Sequence, residues 1–232
     1  MVEDLAGKKH PLHSATNAMQ GEFLQKLIKQ VDASTCLEIG LAYGISSLFI
    51  CESLANQKSP RFISIDPFQT DWHDIGLLNL KRCGFDRFTE FHRDFSHAIL
   101  PGLLAANVII DFAYVDTSKV FDVVLLDACY LARLLRVGGV MVFDDCTSPG
   151  VGRVARYLAR WPHLQLIARH GEFLIGKKKT LVSRVARLSP RRERIFRNDL
   201  LCTDQDLGVN ANCLAFKKIG EDNRKWDWHA DF

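Results

Sequence analysis

Long apolar runs are missing from this chain. No uninterrupted stretch approaches the ~18 residues that a membrane-crossing helix requires, and the opening MVEDLAGKKHPLH lacks the apolar centre of an export leader. Neither export nor a membrane span is expected, and the cytoplasm is the expected compartment. Paired cysteines are missing as well: Cys36, Cys51, Cys83, Cys129, Cys146, Cys202 and Cys213 are odd in number, scattered, and never spaced C-x-x-C. That pattern argues against a disulfide framework and a zinc site, and fits thiols packed into a core in a reduced compartment. There is no internal repeat, no low-complexity linker and no G-x-G-x-x-G, the glycine pattern that cradles a dinucleotide pyrophosphate. What remains is a chain of 232 residues, 47% hydrophobic, which is enough for one domain with a two-sided core.

The most informative stretch is TCLEIGLAYGISS at 35–47, followed by the acid-tipped run FISIDPF at 62–68. Cys36, Leu37 and Ile39 predict a strand, Gly40 to Gly44 a glycine-bearing turn, and Ile45 to Leu54 a helix whose free N–H groups face that turn. A glycine-bearing turn of this kind lets a ligand approach bare backbone. The spacing G-x-x-x-G, with Glu38 two residues before the first glycine, suits a nucleoside without phosphates, of the kind S-adenosylmethionine (SAM) is. Asp66, at the end of the second strand, is placed to accept ribose hydroxyls. The same features also fit a tight strand-to-helix turn with no ligand.

Apolar strand-like runs recur at 35–40, 61–66, 87–93, 109–116 and 138–145, with a last pair near 164–176 and 213–219. Helical periodicity fills the gaps at 21–33, 45–56, 72–83, 96–105, 120–136 and 150–161. Gly138-Gly139 is read as the break from helix into strand, and Pro149-Gly150 as the opening of the next helix. The alternation predicts an α/β fold, a mostly parallel seven-stranded sheet flanked by helices in one Rossmann-like domain over 1–232. Residues 1–20 read as an N-terminal extension and 177–205 as a basic insertion before the last strand. Ligands of such sheets lie at the C-terminal strand tips, near the point where strand order reverses.

A second constellation stands at those tips. AYVDTSK ends the fourth strand with Asp116 and places Lys119 about one turn later; VMVFDDC ends the fifth with Asp144 and Asp145. If the two strands are neighbours, about 4.8 Å apart, three carboxylates crowd one rim, and a hard divalent cation such as Mg²⁺ relieves their repulsion. Successive strand residues face opposite ways, so both Asp144 and Asp145 can serve only if the chain bends after Phe143. Otherwise one aspartate ligates or caps and the other meets solvent. A lysine beside such an ion is a candidate general base, though a lysine at a helix start is more often a plain surface charge.

Together these residues resemble class I SAM-dependent methyltransferases, in particular the small metal-dependent O-methyltransferases of the catechol and caffeoyl-CoA kind. The likeness is closer still to a bacterial methyltransferase group, carried by EIGLAYGISSLFI, ISIDPFQ, IDFAYVDTSKVFDVVLLD, LLRVGGVMVFDD and LAFKKIGEDNRKWDWH, and it spans about residues 17–232. The resemblance implies that Glu38, Gly40 and Gly44 border the methionine moiety of SAM, that Asp66 binds ribose, and that Asp94 or Ser96 lies near the adenine. It implies Asp116, Asp144 and Asp145 as metal ligands and Lys119 as the base. The catechol type shows Asp-Asn where this chain has Asp144-Asp145.

The expected activity is methyl transfer from SAM to a hydroxyl oxygen of a small molecule, with Asp116 and Lys119 as catalytic residues and Mg²⁺ assisting. The acceptor would be a hydroxylated aromatic, a sugar or a secondary metabolite. Trp226, Trp228 and His229, with Phe68, Gln69 and Trp72, are candidates for its wall, or simply tail and core aromatics. A nicotinamide-dependent reductase is the rival enzyme class, disfavoured by the missing dinucleotide glycines. A non-catalytic scaffold is the third reading: KKKTLVSRVARLSPRRERIFR at 177–197 carries nine Lys or Arg against one Glu, so nucleic acid or anionic lipid could bind there. Such a run is more often a solvated face or a subunit contact, so nucleic acid is not the expected partner; a homo-oligomer is open.

Overall fold

The computed structural model describes residues 1–13, 15–173 and 201–230, together with Val185 and Leu188; the basic segment 177–197 otherwise lies outside them. The elements run β1 (Val2–Glu3), β2 (Lys9–His10), α1 (Ala18–Gln30), β3 (Thr35–Ile39), α2 (Ile45–Leu54), β4 (Arg61–Ile65) and α3 (Ile75–Arg82). They continue as β5 (Thr89–His92), α4 (Ser96–Ala105), β6 (Ile110–Val115), α5 (Phe121–Leu134), β7 (Leu135–Phe143), α6 (Pro149–Leu158), β8 (Leu164–Glu172), α7 (Asp204–Leu207) and β9 (Ala211–Lys218). Seven strands form one sheet in the order β5-β4-β3-β6-β7-β9-β8, while β1 and β2 make a separate hairpin. The β5/β4, β4/β3 and β3/β6 pairs are parallel, and β8/β9 is antiparallel. The expected seven-stranded, mostly parallel α/β sheet is what forms.

The chain divides into two compact units, the first comprising Met1–Thr117 with Leu126–Met141 and the second Ser118–Leu125 with Val142–Phe232. In the first, β3, β4 and β6 are buried on both faces: Cys36, Leu37, Ile39, Phe62, Ile63, Ile65, Phe112, Ala113 and Tyr114 are all inaccessible or nearly so. Near-continuous apolar strands are what a parallel sheet covered by helices demands, and each large side chain so buried contributes about 1.5–3 kcal/mol. Helix α1 buries Leu24, Leu27 and Ile28 at i, i+3, i+4 spacing, and it begins earlier than periodicity alone predicts because Asn17 accepts from the Gln20 N–H at 2.9 Å as its N-cap. In the second unit Phe143 and Phe216 meet edge to face at 6.3 Å, and buried Arg156 is held by Asp204 at 2.5 Å and the Cys202 carbonyl at 2.7 Å. Among the described residues no helix is long and apolar enough to cross a membrane.

Two boundaries differ from expectation. Helix α3 starts at Ile75 rather than 72, because His73 and Asp74 both take left-handed backbone (φ +54° each) and cannot begin a right-handed helix. Strand β7 starts at Leu135, directly after α5, so Gly138-Gly139 lies inside the strand instead of opening it.

Candidate active site

Strand order reverses between β3 and β6, which lie side by side although β4 and β5 intervene in sequence. Gly40 sits at that reversal with φ +100°, and a Cβ there would fall on the carbonyl oxygen of Asp116. The tips are stitched together: Asp116 N–H donates to the Ile39 carbonyl at 3.0 Å and Gly40 N–H to the Ile65 carbonyl at 2.9 Å. Gly44, φ +75°, is the N-cap of α2 and supplies no side-chain cap, which leaves the helix's first turn open to a ligand. A cavity lies here, lined by Gly40, Ala42, Ser46 and Asp116 from the strand tips and by Ala15 and Thr16 from the N-terminal residues.

Two carboxylates brace the turn in opposite ways. Glu38 on β3 is fully buried; Ser46 Oγ donates to one oxygen at 2.5 Å and Ser47 Oγ to the other. Burial pushes its carboxyl up to about 8, with the two serine hydroxyls pulling it back and Asp116 and Asp66 adding to the rise. Asp66, only 4% exposed, accepts at Oδ2 from Leu41 N–H (3.1 Å), Ala42 N–H (2.9 Å) and Gln69 Nε2 (2.9 Å). Its Oδ1 accepts from Phe68 N–H at 2.8 Å. Four donors converge on this one carboxylate, so it fixes the glycine turn whatever else it binds. Gln69 Nε2 also donates to the Ala42 carbonyl at 2.8 Å. Fully buried, Gln69 belongs to the turn and not to an open acceptor wall; the short D-P-F-Q loop after the second strand was the signal for this.

Past β5, Asp94 is exposed and Oδ1 accepts from the Phe95 N–H at 2.7 Å, while Ser96 is buried as the first residue of α4. Sequence reasoning missed Asp127 on α5. It is 0% exposed and neither oxygen meets a partner with hydrogen-bonding geometry. Burial pushes its carboxyl up to about 6, held back by the Ser96 hydroxyl and the His97 ring. Its i, i+4 position among apolar residues reads as core, and nothing in the sequence marks it apart.

In the second unit the bend expected after Phe143 is present as left-handed backbone at Asp145 (φ +52°). Asp144 is buried, and its Oδ1 accepts from Asp145 N–H (2.7 Å), Asn212 Nδ2 (2.7 Å) and Cys213 Sγ (3.0 Å). Asp145 Oδ2 pairs with Lys119 Nζ at 2.7 Å, both side chains about two-fifths exposed. Among the described residues no group of three or more His, Cys, Asp or Glu side chains is gathered so as to hold a metal ion. The proposed wall of aromatics is distributed otherwise. Trp72 packs edge to face on Tyr43 at 4.8 Å, Phe68 on Phe95 at 5.7 Å, and Trp228 lies 6.0 Å from Tyr157 and stacks with Arg224, whereas Trp226 is 97% exposed.

A mostly parallel sheet with a glycine-bearing turn at its switch point, a buried acid on the strand before it and a second acid holding the turn amides has the Rossmann-like arrangement. Residues 37–146, just under half the chain, match the family model described as a methyltransferase domain. Among curated proteins, the caffeoyl-CoA O-methyltransferase of Medicago sativa is 29% identical over 141 residues, 59% of this chain and 55% of that protein. The chain spans about half the length of the curated relatives it first matches. Among solved structures, the O-methyltransferase from Bacillus cereus in complex with SAH aligns with a TM-score of 0.61 at 20% identity, covering 69% of this chain and 78% of that one. TomG from Streptomyces achromogenes, an O-methyltransferase involved in tomaymycin synthesis and bound to SAM, aligns at 0.64 and 19% identity, covering 89% and 82%. These last two are likenesses of fold.

Proposed function

We propose that this protein transfers a methyl group from SAM to a hydroxyl oxygen of a small molecule, an aromatic hydroxyl being the acceptor that its caffeoyl-CoA-type relatives suggest. The observation that carries the reading is the cavity at Gly40, bounded by Ser46 and Asp116, beside a turn whose amides are locked by Asp66. The cofactor supplies an electrophilic methyl on a sulfonium; the S–C bond breaks, its electron pair stays on sulfur, and the acceptor oxygen forms the new bond. Gly40 and Gly44 admit the methionine portion to bare backbone, Glu38 holds the first turn of α2 through Ser46 and Ser47, and Asp116 faces the cavity. Asp66 with Gln69 presents the turn to the ribose, and Asp94 or Ser96 borders the adenine. Lys119, ion-paired with Asp145, is the candidate base: the ammonium first releases a proton to solvent, and the neutral amine then takes the acceptor hydroxyl's proton. Orientation of the reactants is then the main source of rate.

Mg²⁺ assistance is the weaker part. The donors do not fit a dication as they stand, since an ammonium already neutralises Asp145 and three donors occupy one oxygen of Asp144. No step is therefore routed through an ion. Isothermal titration tests the reading: S-adenosylhomocysteine (SAH) is expected to bind and to raise the melting temperature, and NAD to do neither. A protein that ignores SAH and binds NAD would overturn it.

A further inference from the structure

The N-terminal residues lie at the cofactor cavity, and nothing in the sequence reading placed them there. We propose, resting on the function above, that His13 is a positioning residue that latches the N-terminal wall of the cavity to the glycine turn. Ala15 and Thr16 line the same cavity as Gly40, Ser46 and Asp116. Tyr43, the residue before Gly44, is buried, and its hydroxyl donates to the Pro11 carbonyl at 3.2 Å. That hydroxyl has one proton, and a carbonyl can only accept. His13 Nε2, 3.1 Å from the same oxygen, is therefore left to donate its N–H to it. The His13 ring also lies 5.4 Å from Tyr43, edge on, and 5.3 Å from Trp72, while Tyr43 and Trp72 meet at 4.8 Å.

Both flanks are anchored as well. Upstream, His10 pairs with Asp4 at 2.8 Å and lies against His73 at 4.2 Å, and Arg82 donates to the Glu3 carbonyl at 3.1 Å. Downstream, Asn17 caps α1, and Gln20 Nε2 donates to Tyr114 Oη at 2.8 Å. The stretch between these anchors depends on the His13–Tyr43–Trp72 ring cluster, and the cluster's centre is part of the glycine turn itself. A ligand that fills the cavity thus meets a wall whose position is set by the turn it binds.

The test uses the full chain. One hydrogen bond and one ring contact correspond to about a five- to tenfold effect. His13→Ala is expected to raise the SAH Kd and dissociation rate by that factor, and to raise KM for SAM with kcat little changed, while the ligand-free melting temperature stays within about 2 °C. His13→Gln, which keeps an N–H donor, is expected to recover most of the affinity. Tyr43→Phe, which removes the hydrogen bond and keeps the ring contacts, is expected to lose part of what His13→Ala loses, and the double variant less than the sum of the two. An SAH Kd for His13→Ala within twofold of wild type, or strictly additive losses, would overturn the latch. If wild type fails to bind SAH, the function reading falls, and the latch is judged by ring-proton NMR of the ligand-free protein. A His13–Trp72 contact that vanishes in Tyr43→Phe supports it, and absence of that contact in wild type overturns it.

Discussion

Replacing Asp127 by Asn is expected to stabilise the protein, and only at pH values where the aspartate would be ionised. The side chain is wholly inaccessible, neither oxygen meets a hydrogen-bonding partner, and burial lifts its carboxyl from 3.8 to about 6. A folded-state value raised above the unfolded one means that the group's contribution is fully present below pH 3.8 and is lost as pH rises through about 6. The displacement corresponds to about 3 kcal/mol at pH 8. Asparagine has the same shape and no charge to desolvate, so Asp127→Asn should gain most of that at pH 8 and nothing at pH 4. For a chain of this size the gain amounts to about 6–12 °C in melting temperature. The assay is urea unfolding of both proteins across pH 4–8, with the difference between them as the readout, since every other titrating group then cancels. A difference that stays flat with pH, or an asparagine variant less stable than wild type at pH 8, would refute the reasoning.

Three further outcomes follow from the same structure. Glu38, raised from 4.5 to about 8 by burial, has its stabilising contribution in full below 4.5 and loses it as pH rises to about 8, so wild type should soften between pH 5 and pH 8 while Glu38→Gln does not; thermal melts in the two buffers decide it. Asp66→Asn leaves an amide NH₂ facing at least one of the N–H groups of Leu41, Ala42 or Phe68, and an unmet buried donor costs about 1–3 kcal/mol, read by urea unfolding and by faster exchange of the Leu41 and Ala42 amides. Lys119→Met breaks a half-exposed ion pair of little energetic weight, about 0–1 kcal/mol, and should leave the melting temperature almost unchanged while methyl transfer collapses; full turnover in that variant would remove Lys119 from the chemistry.

What the sequence revealed and what it hid divide along a physical line. The glycine turn was legible because its requirements are local: Gly40 and Gly44 need left-handed backbone, and the helix after them buries Ile50, Cys51 and Leu54 on one side. The parallel sheet was legible because β3, β4 and β6 are near-continuous apolar runs, which suits the middle of a covered sheet. The partners of Asp144 were not legible. Asn212 and Cys213 come from β9, 68 and 69 residues away, and meet it only because that strand is inserted beside β7 in the sheet order. His13 and Trp72 were likewise invisible as a pair, since 59 residues and four elements separate two rings that touch.

The carboxylates show why residue type alone does not assign roles at such a site. Glu38, Asp66 and Asp127 are all buried acids of the first unit, and motif reasoning had grounds to name only the first two. Asp66 collects N–H donors from Leu41 and Ala42 of the turn, from Phe68 and from Gln69, which makes it the brace of the turn. Glu38 has two hydroxyl donors against complete desolvation, with two neighbouring acids of like sign, and burial wins. Asp127 has only an offset serine hydroxyl and a histidine ring nearby, and burial wins there as well. On the proposed function, a cationic cofactor beside Gly40 would meet Asp116 in the cavity wall and, behind Ser46, the buried acid Glu38. How each acid behaves is set by how many donors the fold has given it, not by how many acids the motif contains.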